Sequence, residues 1–177
     1  MLLYHGSSIA GINTLEPRPS NHDKPYVYLT HSPVLAAIYA HNVLPSPYGW
    51  FTYFWSEGHL YYEEYFPHQL EIFYQGKPGY IYTCEAALPT LDKMPWVYLS
   101  ETPVPTAACR FIPNLYEKLL ALEEQGQLII RRYHTLSPKN LDCIRRIVTQ
   151  QIDQYQLRDH PDSPYAVFLR TYFPDLL

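Results

Sequence analysis

Leu3-Tyr4-His5-Gly6-Ser7, then Val27-Tyr28-Leu29-Thr30, then Ser32-Pro33-Val34-Leu35-Ala36-Ala37-Ile38-Tyr39-Ala40 is the passage on which the reading of this chain turns. Leu2-Leu3-Tyr4-His5 predicts a short first strand, broken by Gly6-Ser7-Ser8. Tyr26 to Thr30 is β-branched and aromatic and predicts a second strand. Ser32 before Pro33 predicts a helix start. The serine oxygen can accept from a free backbone N–H, and proline at the first helical position gives up no hydrogen bond. Val34, Leu35, Ile38 and His41 mark the inward stripe, and the helix should stop before Pro45. Between the two strands, Ile9, Ile12 and Leu15 stand three apart and predict a helical turn or a loop laid on the core. Pro17 to Pro25 is a polar loop carrying Asn21, His22, Asp23 and Lys24.

Downstream, elements are short because proline recurs, 17 times in 177 residues. Residues 46–75, with the aromatic run from Tyr48 to Trp55, read as a mixture of short helix and irregular wall. That run reads as core or oligomer contact, since no basic residues interleave it for nucleic-acid stacking. Gly79 to Ala86 is a central strand and Trp96 to Ser100 another. Residues 101–112 are extended, with Pro103 and Pro105 placing them near a sheet edge. Pro113 to Glu124 is a helix with Leu115, Leu119 and Leu122 inward and a stop at Gly126. Leu128 to Tyr133 is a strand. Ser137-Pro138 opens a helix to about Tyr155, with Leu141, Ile144, Ile147, Val148, Ile152 and Tyr155 on one face. A last helix covers Pro164 to Tyr172. Irregular alternation of short strands and helices predicts α+β rather than a doubly wound parallel sheet. The expectation is a single domain over 1–177. Residues 1–106 would form a nucleotide-binding core, and 107–177 a strand plus helical extension packed on it.

Apolar residues make up 47% and charged residues 17%, which argues for a packed core and against disorder. A formal charge of −4 excludes binding nucleic acid by phosphate neutralisation alone. The pairs Arg131-Arg132 and Arg145-Arg146 read as solvated faces. Cys84, Cys109 and Cys143 are odd in number and widely spaced, which argues against a disulfide framework and a zinc site. The eight histidines lack His-x-x-x-His and His-Glu-x-x-His spacing, so no metal is expected. No apolar run is long enough to cross a bilayer, and the first residues lack a signal-peptide pattern; a cytoplasmic protein is the expectation. Neither Gly-x-Gly-x-x-Gly after the first strand nor a Walker sequence is present, so no Gly-rich cradle would hold a nucleotide.

The opening motif, the Tyr28 strand and the small-residue helix ending in Tyr39 together resemble the His-Tyr-acid class of ADP-ribosyltransferases. That class includes diphtheria-toxin-like toxins, poly(ADP-ribose) polymerases and rifamycin-modifying transferases, the last closest in layout. The resemblance covers residues 2 to 40 well and the strand at Tyr80 to Glu85 thinly. It implies a split, mostly antiparallel β-core with helices around it, NAD as substrate, and release of nicotinamide as ADP-ribose passes to an acceptor. His5 would bond a ribose hydroxyl. Gly6 and Ser7 would bring backbone close to the carboxamide. Tyr28 and Tyr39 would sandwich the nicotinamide ring. Ala36, one turn before Tyr39, stands where many relatives carry a small hydroxyl residue.

The resemblance also requires a carboxylate to stabilise positive charge developing on the ribose. Glu101 is favoured, then Asp92, then Glu85, and the sequence leaves these three open. Two other readings stand beside transfer to an unknown acceptor. One is an RNA 2′-phosphotransferase that also consumes NAD and needs a cleft arginine, Arg18 or Arg110. The other is an inactive nucleotide- or partner-binding module of the same fold. The C-terminal helices are also candidates for a homodimer contact.

Overall fold

The computed structural model describes residues 1–19, 24–45, 48–92 and 94–177. Asn21, His22 and Asp23 of the Pro17–Pro25 loop lie outside the described residues. The architecture is α+β, with an antiparallel main sheet and five α-helices among the described residues. In chain order the elements are β1 (Leu2–Ser7), β2 (Thr14–Leu15), β3 (Val27–Thr30), α1 (Pro33–Tyr39), β4 (Tyr53–Ser56), β5 (His59–Glu63), α2 (Gln69–Tyr74) and β6 (Gly79–Glu85). There follow β7 (Thr90–Leu91), β8 (Met94–Ser100), β9 (Val104–Pro105), β10 (Ala108–Ile112), α3 (Leu115–Glu124), β11 (Ile129–Arg131), α4 (Pro138–Gln154) and α5 (Pro164–Tyr172).

Six strands form the main sheet in the order β10-β6-β1-β3-β8-β7. β1 runs antiparallel to β6 from Leu2 opposite Glu85 to Ser7 opposite Tyr80. That pairing carries the first strand through Gly6 and Ser7, where the sequence predicts a break: a full-length partner outweighs the local turn signal. On its other side β1 meets β3 at one position among the described residues, Tyr4 opposite Thr30, so the sheet opens beyond it. β3 then pairs with β8, with Tyr28 opposite Leu99. The extended stretch after residue 101 supplies β10 as the outer strand beside β6.

The two faces of the sheet are covered differently. On one, Leu3, Leu15, Val27, Leu29, Cys84 and Val104 form a small core beside the β2–β9 ribbon. Ile9 to Leu15 is therefore loop and short strand, not a helical turn. On the other face α1 lies across β1, β3 and β6 and also touches α3. Val34 through Ile38 are all buried, so α1 has no solvent stripe. The predicted cap is present: Ser32 Oγ accepts from Leu35 N–H at 3.2 Å, with Pro33 in the first turn. Ser137 and Ser163 cap α4 and α5 the same way. Leu115, Leu119, Ile144, Val148, Ile152 and Leu169 join the α1 core, so the C-terminal helices share it. Each such side chain, taken fully out of water, contributes about 1.5–3 kcal/mol.

Residues 53–63 correct the mixed helix-and-wall reading. They form a β-hairpin turned by Glu57 and Gly58 at φ 52° and 79°, with β11 added parallel to β5. Two positive φ values suit the tight two-residue turn that matches strand twist. Gln69, fully buried at the start of α2, ties this layer together. Its amide donates to Thr52 Oγ1 at 2.7 Å and Tyr62 Oη at 2.8 Å, and its carbonyl accepts from Tyr65 N–H at 3.0 Å. No helix among the described residues is long and apolar enough to cross a membrane.

Candidate functional site

Where the main sheet opens between β1 and β3, α1 roofs a narrow slot of about 70 Å³. Tyr4, His5 and Gly6 come from β1, Tyr28, Leu29 and Thr30 from β3, and Ala36 and Tyr39 from α1. A polar groove of about 310 Å³ adjoins it, sharing His5, Gly6, Tyr28 and Tyr39 and adding Ser7, Glu16 and Arg18. Five of the residues read from the sequence thus meet at the slot, and Ser7 stands in the groove.

His5 is fixed by a long-range bond. Its Nδ1–H donates to the Tyr28 carbonyl at 2.8 Å. With that nitrogen used as donor, the neutral ring presents Nε2 as an acceptor. Burial lowers the His5 pKa from 6.5, the Tyr28 carbonyl partly offsets this, and the charge of Arg18 lowers it again. The imidazole is therefore neutral at pH 7, ready to accept a hydrogen bond from a hydroxyl.

Tyr39 is held from behind by the aromatic run. Phe51 stacks on its ring with centroids 4.1 Å apart, and its hydroxyl meets that of Tyr53 at 3.0 Å. Burial of the hydroxyl pushes its pKa well above 10, and Tyr53 and Tyr28 push it the same way. The residue as a whole still exposes 36% of its surface, so a flat ligand can reach the aromatic group. Part of the aromatic stretch is thus a support for the slot, while Trp50 packs into the core against Phe168 and Tyr165.

Gly6 has a second reason to be glycine. A Cβ there would lie 1.8 Å from the Ala36 carbonyl oxygen and 2.7 Å from the Ala40 nitrogen. The missing side chain lets the backbone of α1 settle on β1. Ala36 contributes to the same close approach, and both set the height of the slot.

The three candidate acids do not line the slot or the groove. Glu101 is exposed just after β8 and ion-pairs with Lys24 at 3.1 Å. Asp92 is exposed in the turn between β7 and β8. Glu85 is exposed at the far end of β6, three register positions from Tyr82, the partner of His5, or roughly 10 Å along the strand. Among the described residues, Glu16 is the carboxylate that lines the groove, and sequence reasoning missed it. Of the two arginines weighed for phosphate, Arg18 lines the groove and Arg110 lines a different cavity. Among the described residues, no group of three or more His, Cys, Asp and Glu side chains is arranged to hold a metal ion.

No protein-family model, curated protein or solved structure matches this chain.

Proposed function

We propose that the chain has an ADP-ribosyltransferase-like fold, binds NAD across the slot and groove, and transfers ADP-ribose to an acceptor with release of nicotinamide. The observation that carries this reading is one arrangement: Tyr28 and Tyr39 at an apolar slot, beside a neutral histidine anchored through Nδ1. Aromatic faces suit the flat nicotinamide ring. The Nε2 of His5 accepts from a ribose hydroxyl, and the Gly6 backbone offers N–H and C=O to the carboxamide. The guanidinium of Arg18, in the polar groove, balances the pyrophosphate. The sheet opening between β1 and β3 agrees with the split β-core of that class.

In the reaction the bond between ribose C1′ and the nicotinamide nitrogen breaks. Its electron pair goes to the pyridinium ring, which leaves neutral. An acceptor nucleophile then attacks C1′ and loses a proton. Positive charge on the ribose in between calls for a nearby carboxylate. Glu101 is proposed for this role. Glu101 directly follows Ser100, the last residue of β8, which pairs with Val27 beside Tyr28. Its Lys24 partner is exposed and exchangeable.

The test is nicotinamide release from labelled NAD, with His5→Ala as control. Turnover that survives this substitution would refute the site, and absence of NAD binding by calorimetry would refute the enzyme. NAD binding without nicotinamide release would instead support the inactive module. Arg18 in the groove gives one observation in favour of the RNA 2′-phosphotransferase reading. Phosphate transfer from a 2′-phosphorylated RNA to NAD, lost in Arg18→Gln, is its test.

A further inference from the structure

A cavity of about 440 Å³ lies on the α1 side of the main sheet, between β6, β10 and α3. Arg110 of β10 and Lys118 of α3 both line it, with Thr83 and Gln125, while Tyr4 and Val34 supply apolar wall. Among the described residues no carboxylate lines it. Among the described residues neither Arg110 nor Lys118 has an ion-pair partner, although carboxylates outnumber Lys and Arg in the chain, 17 to 13.

Two cations held together without an acid repel each other. The effect registers on Lys118, whose pKa is lowered by burial and then by the charge of Arg110. Such a pair is relieved by an anion that can take hydrogen bonds from a guanidinium and an ammonium at once. A phosphate does this, and the apolar wall leaves room for an organic body attached to it.

We infer that this cavity binds a small phosphate monoester, its phosphate held between Arg110 and Lys118 and its apolar part against Tyr4 and Val34. The site is separate from the polar groove and does not depend on the NAD reading. Tyr4 is common to this cavity and the slot, so the two are neighbours through one side chain.

The experiment is calorimetric titration with a nucleoside 5′-monophosphate and with the same nucleoside lacking phosphate. The monophosphate should bind at least about tenfold more tightly. R110Q and K118Q should each weaken it about tenfold, and K139Q, at an exposed lysine of α4 that lines none of these cavities, should leave it unchanged. Arg110 is exposed on an outer strand, so R110Q tests the site even if K118Q disturbs α3. Absence of monophosphate binding, R110Q binding like wild type, or an equal loss of binding in K139Q would each overturn the assignment.

Discussion

Replacing Gly6 with alanine adds one methyl group where the structure has no room. The new Cβ would sit 1.8 Å from the Ala36 oxygen, 2.7 Å from the Ala40 nitrogen and 2.9 Å from the Ala36 carbonyl carbon, where ordinary contact begins at 3.4 Å. All three atoms are backbone, so no side-chain rotation relieves the clash. α1 must retreat from β1 by roughly 1.5 Å, and overpacking of this kind costs up to about 3 kcal/mol. For a chain of this length that lowers Tm by roughly 10 °C. The same retreat moves Tyr39 away from Tyr28, and misplacement of about 1 Å costs on the order of a hundredfold in turnover. Gly11→Ala is the control. Gly11 sits at φ 70° with nothing within 4 Å of the added carbon, so only the left-handed backbone penalty applies, about 1 kcal/mol. Calorimetric melting of both variants, with NAD titrated into each, checks the argument. A G6A protein as stable as G11A, with unchanged NAD affinity, would refute the account of why this position is glycine.

Further outcomes follow from the same contacts. The lowered His5 pKa means that the unfolded chain takes up this proton first as pH falls below 6.5. The His5 contribution is full above 6.5, shrinks as pH drops towards the lower folded value, and levels off beneath it. H5Q should remove that part of the pH dependence in denaturant melts, and an identical profile would disprove it. Gln69→Leu strands the Thr52 and Tyr62 hydroxyls and the Tyr65 N–H, and should cost about 3 kcal/mol in urea unfolding. A loss under 1 kcal/mol would show that those groups find other partners. E101Q should cut nicotinamide release about a hundredfold with little change in the KM for NAD. If E16Q does this and E101Q does not, the acid belongs to the loop before Arg18.

Much of α1 is legible in local sequence because Ser32-Pro33 and the run to Tyr39 act within one helix. The same holds for the Ser137 and Ser163 starts. The β4–β5 hairpin is not. Its Glu57-Gly58 turn lacks the Asn-Gly signal, and its aromatics point to several neighbours at once. Phe54 stacks on Tyr61, Tyr53 reaches Tyr39, and Trp55 meets Trp96. No single periodicity results from such a pattern. At the candidate site, Tyr4-His5-Gly6-Ser7 lies on the strand that lines the slot, yet the atoms that shape the slot are distant in sequence. Anchoring of His5 by the Tyr28 carbonyl spans 23 residues, and the clash that fixes Gly6 spans 30. Glu16 and Arg18 face the groove only because their loop folds beside β1 and β3.

The one-position seam between β1 and β3 carries a consequence for how such a site tolerates change. Past Tyr4 and Thr30, β1 and β3 share no further register pair among the described residues, so a guest amide would meet peptide groups along the inner edge of β1. Recognition by peptide groups is indifferent to side-chain identity. Substitutions around the slot can therefore accumulate while the polar pattern offered to a bound amide persists, provided the seam stays open. The aromatic walls have no such protection, and they are where specificity would drift first.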